Sequence, residues 1–146
     1  MIALHPPLSG MPLAFVVMLA CIELLRARTC WRQSLGVART IAIIAVVAST
    51  SFAFLSGYQA SSPLGDLPLN VQGALGTHHA YGRLLVVNAL LTGTFAWLES
   101  RATHGRRVVS FLYFTTLLAQ FALTVLVGYL GGELVFTHRV GVATTN

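Results

Sequence analysis

Four stretches of this chain, at about 8–28, 35–60, 78–100 and 107–138, carry almost no charge, and each is long enough to cross a bilayer as a helix. A hydrocarbon core roughly 30 Å thick takes about 20 residues of α-helix. Of the 146 residues, 55% are apolar and 9% charged, too few charges to cover the surface of a soluble domain this size. The expected fold is therefore all-α, one integral membrane four-helix bundle filling residues 1–146, in a multi-pass arrangement. Pro6 and Pro7 precede the first run, where a missing N–H costs a helix nothing. The connection from 61 to about 77 contains Pro63, Gly65, Asp66, Pro68 and Asn70, and is expected to lie over the bundle end as a cap.

The formal charge of +5 comes from nine arginines, since the chain has no lysine. Such basicity does not call for nucleic acid, because arginines beside membrane helices record orientation. Arg26, Arg28, Arg32 and Arg39 lie between the first two runs, and Arg101, Arg106 and Arg107 between the last two. That places both short connections in the cytoplasm and both termini on the outer, periplasmic side of a bacterial inner membrane. The start, Met1 to Pro7, lacks a basic region and a small-residue cleavage site, so the first helix is expected to act as its own insertion signal. Cys21 and Cys30 would face the reducing side, where a disulfide is not expected, and neither has the CxxCH spacing of covalent haem attachment.

With this topology four of the five histidines gather at the outer end: His5 before helix one, His78 and His79 at the start of helix three, and His138 at the end of helix four. Imidazoles collected at one depth of an apolar protein point to a metal or a haem iron. Two faces support that chemistry. His79, Gly82, Val86, Ala89, Gly93 and Ala96 recur at helical spacing in helix three, as do Gln120, Thr124, Gly128, Gly131, Val135 and His138 in helix four. Gly128, Gly131 and Gly132 would admit a porphyrin edge, or equally a close helix neighbour.

A low-spin haem b takes one imidazole from each of two helices, and His79 with His138 is the first pair. His78 is turned about 100° from His79 on an ideal helix. With His5 it could serve a second haem or a metal ion. Arg83 and Arg139 are candidate partners for haem propionates. Glu133 could orient a histidine, accept a proton, or pair with Arg139. Glu23 is expected to pair with Arg26 or Arg39, and Asn88 and Thr92 to bond between helices. His104, among the arginines, reads as a loop residue.

The segments His5-Pro6-Pro7-Leu8, Met11-Pro12-Leu13-Ala14 and Gly128-Tyr129-Leu130-Gly131-Gly132-Glu133-Leu134-Val135-Phe136-Thr137-His138-Arg139-Val140-Gly141-Val142, with a histidine opening helix three, carry a resemblance. Together they resemble a family of small four-helix bacterial membrane proteins catalogued as a domain of unknown function. The last segment fits its GGxLV(Y/F)xHxVGV pattern, with Phe136 where tyrosine is expected and Arg139 where glycine is commoner. The resemblance spans nearly the whole chain. It implies the four-helix fold and groups His5, His79 and His138 as a set.

The expected function is that of a cytochrome b-like electron carrier or subunit, holding one haem b or two. It would link a membrane quinone/quinol pool to another redox protein, within a larger complex or a homo-oligomer. A second expectation is a non-redox accessory subunit of a respiratory or photosynthetic complex, its glycine faces serving as protein seams. A proton path through Glu133 and the histidines is the weakest, since the inner half of helices two to four offers no evident ionisable relay. The chain has no nucleophile with a base, no P-loop and no zinc-hydrolase spacing, so no bond-making catalysis is expected.

Overall fold

The computed structural model describes residues 9–31, 33–61, 67–138 and 140. These form four antiparallel helices: α1 (Met11–Arg26), α2 (Gly36–Ser61), α3 (Leu69–Arg101) and α4 (Arg106–Phe136), with one 3₁₀ turn, Thr29–Trp31, between α1 and α2. Neighbours in sequence are neighbours in space, and α1 closes the ring against α4. The fold is the expected all-α membrane bundle, and α2 and α4 are each long and apolar enough to cross a membrane.

Local chemistry explains the helix ends. Pro12 stands in the first turn of α1, where proline is tolerated, and Arg26 in its last turn faces the negative end of the helix dipole. The α3–α4 connection turns on Gly105, whose φ of 70° is costly for any residue with a Cβ. One expected element is different. The stretch read as a cap is helical from Leu69 onward, so α3 begins nine residues before His78. Gly73 and Gly76 weaken the helical pattern in sequence. Pro68 starts the helix all the same, its carbonyl accepting from Val71 and Gln72, and the buried Val71 side chain pins this first turn to the bundle.

The core is densest near the arginine-rich end. Val16 and Leu19 of α1, Ala42 and Val46 of α2, Ala96 of α3, and Tyr113 and Leu117 of α4 form one buried cluster. Outside it the bundle is apolar all round: Ile41, Ile44, Phe52, Leu55, Val87, Phe111 and Leu118 are exposed. A continuous apolar coat fits lipid. Exposed tryptophans, Trp31 and Trp97, mark the arginine-rich end, and exposed tyrosines, Tyr58, Tyr81 and Tyr129, mark the histidine end. From Trp97 to Tyr81 the helix rises about 24 Å, close to the thickness of a hydrocarbon core between two aromatic belts. The first turns of α3 and the last of α4 consequently extend past the tyrosine belt.

Candidate functional site

Two polar assemblies lie inside the bundle, one at its arginine-rich end and one near its middle. At the arginine-rich end, the buried Arg39 guanidinium bridges two carboxylates: Nε donates to Glu23 Oε1 at 2.5 Å and Nη2 to Glu99 Oε2 at 2.6 Å. Arg26 adds a bond to Glu23 Oε2 at 3.2 Å, Tyr113 donates its hydroxyl to Glu23 Oε1 at 2.7 Å, and Ser110 donates to Glu99 Oε1 at 2.7 Å. The Arg39 guanidinium also lies 4.6 Å from the centre of the Tyr113 ring. Every helix contributes, so the cluster clasps the bundle. Glu23 pairs with both arginines named as alternatives from the sequence. Glu99 was missed, although a carboxylate two residues inside Arg101 signals a helix end with a partner. The cluster places Arg39, Glu99 and Tyr113 in the inner half of α2 to α4.

One turn and more above the clasp lies a neutral polar tier. Asn88 Nδ2 donates to Gln120 Oε1 at 2.8 Å and to the Thr116 carbonyl at 2.9 Å. Gln120 Nε2 reaches Thr50 Oγ1 at 3.4 Å, tying α2, α3 and α4 together at a fully buried amide. Asn88 is the interhelical bond expected of it. Thr92 instead returns its hydroxyl to the Asn88 carbonyl within its own helix, at 2.9 Å.

Thr50 and Thr124 form the floor of a cavity of about 600 Å³ that fills the histidine end of the bundle. Its wall includes Phe54 and Gly57 of α2, His78, His79, Gly82 and Leu85 of α3, and Gly128, Gly131, Gly132 and Val135 of α4. The three glycines of α4 and the two adjacent histidines thus meet in one space, as their spacing suggested. The glycines are not equivalent. A Cβ on Gly131 would come within 3.2 Å of His78 Cε1, so Gly131 is the notch that receives the His78 ring. Nothing lies within 4 Å of the corresponding point on Gly128, which opens onto the cavity. Opposite, Gly82 makes room for Phe54, whose ring would be 3.2 Å from an added Cβ.

The two imidazoles diverge. Their centroids are 6.1 Å apart with planes tilted by 49°, and the His79 ring sits 6.0 Å from that of Tyr58. His78 therefore faces α4 and His79 faces α2, a division of roles that periodicity alone assigned the other way. Tyr58 was not singled out from the sequence. Its place in the last turn of α2, level with the helix that carries the histidines, was the available signal.

The other candidate residues are elsewhere. His138 is half-buried past the end of α4, seven residues and about 10 Å of helical rise beyond Gly131, and it does not line the cavity. Its backbone N–H closes on the Glu133 carbonyl at 3.3 Å. Glu133 and Arg83 are exposed on the outer faces of their helices, and His104 bonds Thr103 in the α3–α4 connection. His5 and Arg139 lie outside the described residues. Among the described residues no three of His, Cys, Asp and Glu converge as they would around a metal ion.

The cavity fits a flat apolar group better than a bare ion. Its volume lies within the range of small-molecule and cofactor pockets, about 300–1,000 Å³. His78 stands about 10 Å above the threonine floor, judged by the seven residues from Thr124 to Gly131, and is the outermost α3 residue of the lining. Among the described residues, His78 of α3 is the side chain placed to hold such a group, with His79 beside it.

Residues 1–144 match the family described as "Predicted membrane protein (DUF2231)". The chain belongs to that family. No curated protein and no solved structure matches it. Membership agrees with the apolar coat and the two spanning helices, and leaves the cavity as the feature from which a function must be argued.

Proposed function

We propose that this DUF2231 member is a multi-pass protein of the bacterial inner membrane that binds haem b in the histidine-end cavity and serves as an electron carrier or redox subunit. The observation that carries the reading is the apolar, glycine-walled cavity with His78 and His79 in its wall. Arg26, Arg28, Arg101, Arg106 and Arg107 collect at the opposite end, which the positive-inside tendency makes cytoplasmic, so the cavity faces outward. Bound haem would supply reversible one-electron chemistry at its iron. The chain's own residues do the rest. His78, seated in the Gly131 notch, is held to one direction, and His79 against Tyr58 can orient a ligand or form a polar contact at the rim. Phe54, Leu85, Val127 and Val135 exclude water and keep the local dielectric low, which is how a protein raises or lowers a haem potential. The electron donor in this reading is a membrane quinol and the acceptor another redox protein, in a larger complex or a homo-oligomer.

The test is an absorption spectrum of protein expressed with ample haem. A Soret band that shifts on dithionite reduction, lost in His78→Ala and changed in wavelength or intensity in His79→Ala, supports the reading. A colourless, monodisperse preparation sinks it. A second reading, a non-redox accessory subunit, is favoured by one observation: α3 is the one described element that brings histidine to the cavity. In that reading the glycine wall receives a partner helix instead of a macrocycle.

A further inference from the structure

At the arginine-rich end the carboxylates are used up inside the bundle. The chain has four acidic residues, Glu23, Asp66, Glu99 and Glu133. Asp66 follows α2 in sequence, and Glu133 stands in the last turn of α4, at the histidine end. Among the described residues, Glu23 and Glu99 are the acids of the arginine-rich end, and both pair with the buried Arg39, Glu23 with Arg26 as well. Arg106 stands close enough to Glu99 to share its field. Arg28, Arg101 and Arg107 are exposed, and none of them forms an ion pair with another described residue. Three guanidinium charges are thus left without a counter-charge from the described chain.

Their positions say what supplies it. Each of the three closes an exposed apolar face of the bundle. On α3, Leu90, Trp97 and Arg101 recur at helical spacing on the side away from the buried Leu85, Asn88 and Ala96. On α4, Phe111, Phe114 and Leu118 continue the face that Arg107 opens, and Arg28 follows the exposed Leu24 and Leu25 of α1. The guanidinium groups therefore stand at the rim of the lipid-facing coat. Arg101 shows the depth. Its guanidinium lies 5.6 Å from the centre of the Trp97 ring, and Trp97 is one turn, about 6 Å, nearer the middle of the bilayer. The side chain thus lies back along the helix toward the membrane, held by attraction to the ring face. Tryptophan in an aromatic belt marks the headgroup level. A soluble acidic partner would approach from beyond the helix ends, whereas this guanidinium is held sideways at the depth of lipid phosphates.

We propose that Arg101, held over Trp97, binds the phosphate of an anionic phospholipid, and that Arg107 and Arg28 extend this into a collar of anionic lipid around the arginine-rich end. The planar guanidinium matches two phosphate oxygens at once, which an ammonium group does not. A zwitterionic headgroup brings its own cation beside the phosphate and gains less from the arginine. An anionic headgroup has none, so it is preferred. The inference needs no haem, and it does not depend on which face of the membrane this end occupies.

The chain has two tryptophans, so Trp31→Phe leaves Trp97 as the only reporter. The experiment uses this full-length variant in vesicles of phosphatidylcholine and phosphatidylglycerol, with one lipid at a time brominated on its acyl chains. Bromine quenches tryptophan on contact. At equal mole fraction, brominated phosphatidylglycerol should quench Trp97 as though about fivefold enriched beside it, the scale of one arginine near an anionic lipid surface. High salt should weaken the preference. Arg101→Gln should remove most of it and Arg101→Lys retain part. Arg83→Gln, at an exposed arginine of the histidine end, should leave it unchanged. Should Arg101→Gln not fold, Trp97→Phe with and without Arg28→Gln puts the same question to Trp31, whose lipid preference should fall when Arg28 is lost. Equal quenching by the two brominated lipids overturns the proposal and leaves an acidic protein surface as the partner of these arginines. A preference for phosphatidylglycerol that survives Arg101→Gln undiminished overturns it too, because net charge and not this side chain would then select the lipid.

Discussion

Replacing Arg39 by methionine tests whether the clasp at the arginine-rich end holds the bundle together. The side chain of Arg39 is 9% exposed, and those of Glu23 and Glu99 are 8% and 12% exposed, so none of the three is hydrated enough to lose a partner cheaply. Methionine keeps the length and removes the charge that both carboxylates share. Breaking a buried ion pair by removing one partner costs about 3–5 kcal/mol, chiefly because the remaining charge is stranded. Here two are stranded, though Arg26 and Tyr113 still serve Glu23, and Ser110 still serves Glu99. A loss of about 3 kcal/mol follows, measured by unfolding in mixed detergent and sodium dodecyl sulfate. The decisive comparison is the neutral triple variant, Arg39→Met with Glu23→Gln and Glu99→Gln, which buries no unbalanced charge. It should recover at least half of that loss. If the single and triple variants are equally stable, or if the single variant costs under about 1 kcal/mol, stranded charge is not what the clasp guards against and the reasoning fails.

Tyr113→Phe removes one hydroxyl from a carboxylate that retains two arginines, and should cost about 1–2 kcal/mol in the same assay, well below Arg39→Met. Asn88→Leu leaves the Gln120 carbonyl oxygen and the Thr116 carbonyl without their shared donor, and about 1 kcal/mol is expected, the usual scale for polar contacts between membrane helices. Gly131→Ala should displace the His78 ring by a few tenths of an ångström and shift the Soret band of haem-loaded protein, whereas Gly131→Leu should abolish haem retention while Gly128→Ala, at a position open to the cavity, should leave it intact. Cys30 is exposed in the α1–α2 connection. In a Cys21→Ser background, an impermeant maleimide should label it in inside-out vesicles and not in intact spheroplasts, and the reverse result would invert the orientation.

The fold was legible because its main determinant is one-dimensional. Charge placement alone separated the four helices, and the ends of α1, α2 and α4 fall within three residues of the apolar runs. The start of α3 was hidden by Gly73, Gly76 and Asn70, whose local preference for turns is overridden when Val71 is buried. The cavity was half legible. Small-residue spacing on α3 and α4 picked out Gly82, Gly128 and Gly131, all of which line it. Spacing could not say which imidazole faces α4, because that depends on the notch at Gly131 and hence on the rotation of two helices about their axes. Nor could it place His138, since α4 ends at Phe136 and the turn that follows carries it past the lining. Thr50 and Tyr58 were invisible for a related reason: they act through partners 70 and 21 residues away in sequence, Gln120 and His79.

The arrangement of the two polar assemblies limits what the chain can move across the membrane. Titratable groups cluster at the clasp, and the histidines stand in the opposite cavity, with the Asn88–Gln120–Thr50 tier below them. Between clasp and tier lies a layer of fully or nearly fully buried apolar side chains: Leu19, Val46, Ala96 and Leu117. The polar groups that join this layer to the tier, the Thr116 and Thr92 hydroxyls and the Asn88 and Gln120 amides, do not titrate. Among the described residues, no buried titratable side chain lies between His79 or Glu133 and the Glu23–Glu99 clasp. The clasp joins all four helices at the arginine-rich end and so fixes their register below the cavity. Under the proposed haem reading, electron exchange would be confined to the histidine end of the bundle.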